Sequence, residues 1–400
     1  MRISSNQLST SGLREILNRQ AELQETQLKI ATQRRFLTPS DDPVAATTVL
    51  NIETDISLLT QYNRNIDLAK GANQLEETVL TNVENSLFRV KELMISLGNG
   101  IYSNEELGAI KAEMQERFEE ILSYANTKNA AGDYLFSGFK TDIQPFVKDA
   151  SGNVFYQGDQ GQRELRITSA NLVEISDSGF DVFEDVLSGN GKFAVDVNTA
   201  NTGSVSIGAT GYQAPPQFLA EPYQVRFLSP TSYEVIGVNS GSTIVPATTY
   251  NPGDTISFNG VTLETQGTPA INDEFIVNPS TRRSIFTTIQ SVIDSVDNFV
   301  DNDAGRAIYL TQYNNALSEI DSSFTQIDTI RAKVGSRLNA IDAGKDSNDG
   351  LILSSQTLLS KLKDLDLVQA ASDLTRQTTV LQAAQNSFVR VQNLSIFNFL

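Results

Sequence analysis

The stretch Arg34-Arg35-Phe36-Leu37-Thr38-Pro39-Ser40-Asp41-Asp42-Pro43-Val44-Ala45-Ala46 packs two prolines and two aspartates into five residues, between two runs of helical periodicity. Proline cannot continue a helix and disfavours helical geometry in the residue before it, so a helix arriving from the N-terminal side is predicted to stop near Phe36. Pro43 suits a first helical position, Asp42 suits the N-cap, and both aspartates favour the positive end of the new helix. Pro39, Ser40, Asp41, Asp42 and Pro43 are therefore read as a stiff, capped joint between two helices, with an ordinary surface loop as the alternative.

Upstream of the joint, Ile16, Leu23 and Ile30 recur every seven residues, supported by Leu13, in a thin amphipathic stripe. Downstream, Ile52, Leu59, Ile66, Asn73, Leu80, Leu87 and Met94 keep one heptad register, with Tyr62, Ala69, Val83, Val90 and Leu97 three residues later. That predicts a coiled-coil-like helix of ~80 Å, ending at Gly98 and Gly100. A shorter helix follows, capped by Ser103 and carrying Leu107, Ile110, Met114, Phe118 and Ile121 on one face.

The period then changes. Nine of the 11 prolines and 15 of the 25 glycines fall between residues 138 and 280. There, Tyr223, Val225 and Phe227 alternate towards Ser229-Pro230-Thr231, and Ile256 and Phe258 lead into Asn259-Gly260, which predicts two hairpins in a β-rich insert. Past Ser284 the heptads return at Tyr313, Ile320, Ile327, Val334 and Ile341. After the polar stretch from Asp342 to Gly350, a last series runs through Leu367, Leu374, Leu381 and Phe388, with Val391 offset by three. The fold class read from this pattern is α+β, an elongated bundle of long helices built from both chain ends with an inserted β-rich domain. The expected division is 1–42 and 357–400 as terminal helical arms, 43–139 and 281–356 as the bundle, and 140–280 as the β-rich outer domain.

The two arms carry the informative constellation. Stripes only two residues wide in seven bury too little apolar surface to offset ordering the chain alone. Leu13, Ile16, Leu23, Ile30, Leu367, Leu374, Leu381, Phe388 and Val391 are therefore the candidate assembly interface. Two outcomes stay open: the arms pair with each other as one end of the bundle, or they order only in an oligomer.

Composition narrows the function. With no His, Cys or Trp, only carboxylates, Lys, Tyr and hydroxyls remain for chemistry. The acidic pairs Asp41-Asp42, Glu76-Glu77 and Asp364 with Asp366 are read as capping or solvated groups, so no catalytic, metal or cofactor site is assigned. A formal net charge of -18 repels phosphate backbones, which makes nucleic acid a poor partner. No apolar run reaches signal-peptide or membrane-spanning length, so no membrane insertion is expected.

Several stretches resemble one family. Met1-Arg2-Ile3-Ser4-Ser5-Asn6-Gln7, Leu37 to Ala46, Gly132-Asp133-Tyr134-Leu135-Phe136-Ser137-Gly138 with Pro145-Phe146, Tyr156-Gln157-Gly158-Asp159, Phe258-Asn259-Gly260 and Asn393-Leu394-Ser395-Ile396-Phe397 are similar to the flagellin superfamily, and within it to the hook-filament junction family. The resemblance implies a flagellin-like fold in which terminal arms form an axial tube inside the bundle and the β-rich domain lies outermost. It implies a structural adaptor ring without enzymatic activity, and a flagellar, extracellular location reached through the type III export apparatus without a cleaved signal peptide. The partners it implies are further copies of the chain, the hook-proximal junction protein, flagellin and a flagellar export chaperone. A filament flagellin and a secreted coiled-coil adhesin are the alternatives.

Overall fold

The computed structural model describes residues 5–99, 104–213 and 221–393. Six α-helices are described: α1 (Ser5–Thr32), α2 (Pro43–Asn99), α3 (Asn104–Ala125), α4 (Ile285–Asp297), α5 (Asp303–Lys363) and α6 (Leu367–Asn393). Between α3 and α4 lie short strands β1 (Phe146–Lys148), β2 (Val154–Tyr156), β3 (Glu164–Arg166), β4 (Leu172–Glu174) and β5 (Val186–Leu187), and longer ones β6 (Phe193–Val197), β7 (Ser206–Tyr212), β8 (Tyr223–Ser229), β9 (Ser232–Gly237), β10 (Thr243–Thr249), β11 (Thr255–Phe258), β12 (Val261–Gln266) and β13 (Glu274–Pro279), followed by β14 (Arg282–Arg283). This is the α+β class, with long helices from both chain ends and a β-rich insert. No described helix is long and apolar enough to cross a membrane.

The chain divides into two compact units, a terminal one of residues 1–64 and 344–400 and a central one of residues 65–343. In the central unit α2 and α5 run antiparallel, because Glu77 pairs with Arg331 at 2.7 Å while Phe88 meets Phe324 further along α2 and earlier along α5. Their heptad residues Leu80, Leu87, Ile320 and Ile327 are fully buried. An aromatic cluster locks α3, α4 and β1 onto that seam: the Phe146 ring lies 5.3 Å from Phe286 and 5.2 Å from Phe183, and Phe118 lies 5.7 Å from Phe286.

The β-rich insert is not one domain. The hairpins β1–β2 and β3–β4 pack on the helices, with Phe146 in the helical core and Ile167 and Val173 against Ile66, Ala69 and Ile341. Among the described residues of the insert, those between 193 and 277 build a separate core, around Phe227, Tyr250 and Phe275. There a five-stranded sheet, β10-β9-β8-β13-β6, accompanies a three-stranded one, β11-β12-β7, and all neighbouring strands are antiparallel. At the β11–β12 turn Asn259 and Gly260 both take positive φ, 43° and 80°, as a tight primed turn requires. Helix α5 covers the β6 and β7 edges with side chains: Ile207 N–H donates to Thr311 Oγ1 at 3.0 Å, Asn314 Nδ2 donates to the Ile207 carbonyl at 3.0 Å, and Val195 N–H donates to Asn315 Oδ1 at 3.3 Å. Capped edges cannot recruit stray strands.

Two helix boundaries differ from expectation. The first helix ends at Thr32, not near Phe36, for a reason given below. The polar stretch from Asp342 to Gly350 lies inside α5, which runs on to Lys363, past the expected bundle boundary at 356. Polar contacts replace the apolar seam at that level, since Asn348 Nδ2 donates to Asn63 Oδ1 at 3.1 Å and Asn63 Nδ2 to Asp349 Oδ1 at 2.7 Å. Ser103, expected to cap α3, lies outside the described residues.

Candidate assembly site

Helix α1 closes with both hydrogen bonds of a Schellman motif: Arg34 N–H reaches the Lys29 carbonyl at 3.2 Å and Gln33 N–H the Ile30 carbonyl at 3.3 Å. Gln33 holds the left-handed conformation, φ 55°, that usually selects glycine. This stops the helix before Pro39 can act. The released chain pairs instead with the turn between α5 and α6, where Arg35 N–H donates to the Lys363 carbonyl at 2.8 Å and Leu365 N–H to the Gln33 carbonyl at 3.0 Å.

Beyond that bridge the joint is held by its two aspartates, each doing a different task. Asp41 Oδ2 accepts from the Leu37 and Thr38 N–H groups, both at 2.9 Å, and Oδ1 from the Thr38 hydroxyl at 2.7 Å. Those bonds, the Thr38 N–H foremost, hold the exposed Asp41 carboxyl below its ordinary pKa. Asp42 caps α2, accepting from Ala45 N–H at 2.9 Å, and Pro43 occupies the first helical position. Pro39 and Pro43 line an open groove of about 460 Å³ with Phe36, Leu37, Val49 and Leu50.

Helices α1 and α6 pack together antiparallel, since Gly12 faces Phe388 at one end while Gln33 meets Leu365 at the other. The approach at Gly12 is close: a Cβ there would come within 2.8 Å of the Phe388 ring. Ile16, Leu23, Ile30, Leu374, Leu381 and Phe388 are half-buried on these helices, whereas Leu13 and Leu367 are each 49% exposed. The Val391 side chain lies outside the described residues. Ion pairs within one helix decorate α1, Arg19 with Glu15 at 2.7 Å and Glu22 at 3.0 Å.

Much apolar surface stays open in this unit. Leu17, Leu28, Val44, Leu50, Leu353 and Val368 are all more than half exposed, and Val368 reaches 82%. The arms thus pair with each other inside one chain, yet the pairing leaves a second apolar side on the same helices and on the adjoining ends of α2 and α5.

One acidic pair departs from the expected solvated role. Glu76 does not lie on a polar face; it is fully buried, and its neighbour Glu77 is partly exposed and salt-bridged to Arg331. The signal was present, because Glu76 stands in the seam series Tyr62, Ala69, Glu76, Val83, where an acid is out of place.

Comparisons with known proteins place the chain in a family. The family model of the bacterial flagellin N-terminal helical region matches residues 3–141. The D2-like domain of flagellar hook-associated protein 1 matches residues 196–279, a range that overlaps most of the separate β core. The solved flagellar hook-associated protein 3 of Legionella pneumophila is 31% identical, with a TM-score of 0.75, over 78% of this chain and 98% of that one. Flagellar hook-associated protein 3 of Escherichia coli is 22% identical over 99% of both chains, and the flagellar filament 41 kDa core protein of Borreliella burgdorferi is 23% identical over 91% of this chain and 88% of that one. The fold class is thus flagellin-like. The chain belongs to the flagellar hook-associated protein 3 family, structural components of the flagellum's hook-filament junction.

Proposed function

We propose that this chain forms a ring at the hook-filament junction, joined through its own terminal helices, with the hook-proximal junction protein on one side and flagellin on the other. The observation that carries this reading is the apolar surface left open on α1 and α6 after they have paired. Ile16, Leu23, Ile30, Leu374, Leu381 and Phe388 hold the two arms together, while Leu13, Leu367 and the exposed residues beside them meet neighbouring subunits; Val391 extends the α6 series. The joint from Pro39 to Pro43 sets the direction in which the arms leave. Subunits reach the site through the flagellar type III apparatus, accompanied by an export chaperone that covers the apolar arms. The role is structural and not enzymatic; a chain without His or Cys lacks the commonest general base and the thiolate nucleophile.

The test is complementation of cells whose hooks lack their own hook-associated protein 3. Supplying this chain is expected to restore filaments and stop the loss of flagellin into the medium. Bare hooks in cells that export the chain would sink the reading.

A further inference from the structure

Glu76 of α2 is enclosed in the central unit by β4, the turn after it and α5. Its Oε1 accepts the Asp177 N–H at 3.0 Å, and its Oε2 has no partner among the described residues. Asp177, 1% exposed, is held by Arg337 of α5 through two bonds at 2.7 and 2.8 Å and accepts from Gln162 Nε2 at 3.0 Å. The same guanidinium also binds Glu174 of β4. One turn earlier on α2, buried Asn73 is neutral and donates to the Glu174 carbonyl at 3.0 Å. Glu77 and Lys70 are engaged elsewhere, with Arg331 and Asp342.

The charge balance of this cluster is decided by one cation. Arg337 already answers two carboxylates, so an ionised Glu76 would be a further buried negative charge beside Asp177, with one oxygen unpartnered. We propose that Glu76 keeps its proton and acts as a latch that fastens the β3–β4 hairpin to α2 and α5, and that ionising it loosens the hairpin. The hairpin's other attachments are Ile167 and Val173 against Ile66, Ala69 and Ile341, Asn65 Nδ2 and Asn73 Nδ2 donating to the Arg166 and Glu174 carbonyls at 2.8 and 3.0 Å, and Arg337 on the Glu174 carboxylate.

Burial foremost, then the proximity of Asp177, pushes the Glu76 carboxyl up from 4.5 to about 8. The folded state therefore holds a proton that the open state releases. Stability from this group is fullest at or below pH 4.5, falls as the pH rises towards about 8, and changes no further above it.

Amide hydrogen exchange of the full chain between pH 6 and 9.5, corrected for the intrinsic chemistry of exchange, reads this directly. Peptides covering residues 164–177 are expected to open up to about tenfold more per pH unit until the pH passes about 8, while peptides from β8 and β9 show no such trend. In Glu76→Gln, which keeps the acceptor for Asp177 N–H and carries no titrating proton, the trend disappears. Protection that is flat with pH in the natural chain overturns the latch. A trend of equal slope in Glu76→Gln also overturns it. The natural chain alone decides the question if the variant does not fold.

Discussion

The terminal and central units are written in the same heptad code and end in opposite states. In the central unit, Ile66, Leu80, Leu87 and Met94 of α2 are fully buried, because α3, α4, α5 and the short hairpins cover the helix from several sides. In the terminal unit, α1 and α6 offer stripes of the same period and bury them only halfway, while apolar residues off the stripe face outward. A two-in-seven stripe does not by itself make a core. The number of elements around it decides whether it becomes a closed folding seam or stays half open.

The largest expected effect breaks the comparison at the terminal unit. Leu374→Asp with Leu381→Asp places two carboxylates where each Leu contributes ~1.5–3 kcal/mol on burial, a penalty repeated in every subunit of a ring. Cells carrying the pair are expected to keep hooks, lose filaments and release flagellin, as seen by electron microscopy and an assay of the medium. Full-length filaments would show that the two units do not differ in role.

A second measurement sharpens the contrast within the isolated chain. Ile320→Ala, in the buried seam of the central unit, is expected to cost ~2–5 kcal/mol in denaturant unfolding. Leu13→Ala, at a side chain half open to solvent, is expected to cost under ~1 kcal/mol, and equal costs would erase the distinction.

The joint tests whether direction matters apart from stability. Replacing Pro39 and Pro43 together by Ala leaves the Asp41 and Asp42 hydrogen bonds available and the central core untouched. The melting temperature is expected to move by no more than a few degrees while filaments become fewer. Normal filament numbers would reduce the joint to a loop.

The smallest effect concerns the helix stop. Gln33→Gly relieves a left-handed conformation that costs ~1 kcal/mol for a residue with a Cβ, offset by the greater freedom of glycine in the unfolded chain. A net stabilisation of up to ~1 kcal/mol is expected for α1, visible as slower amide exchange near Lys29. Faster exchange there would show that Gln33 contributes more than its backbone.

Local signals were legible in the sequence wherever one short stretch carried its own physics. Asp42 and Pro43 start α2 because a cap and a fixed φ act within four residues. Asn259-Gly260 turns its hairpin because both residues tolerate positive φ. The heptads from Ile52 to Met94 and from Tyr313 to Ile341 fixed the long helices by period alone. What required the tertiary structure was decided by partners distant in sequence. The Schellman turn that ends α1 is held in place from afar, since the Gln33 carbonyl accepts from Leu365 N–H and Arg35 N–H donates to the Lys363 carbonyl. α5 crosses Asp342 to Gly350 because a helix with 61 residues tolerates a weak stretch whose side chains find Asn63 across the pair. Glu76, on a seam position, reads as solvated until α5 and the turn after β4 close over it; burial is a property of what surrounds a residue, and a single sequence does not list its surroundings.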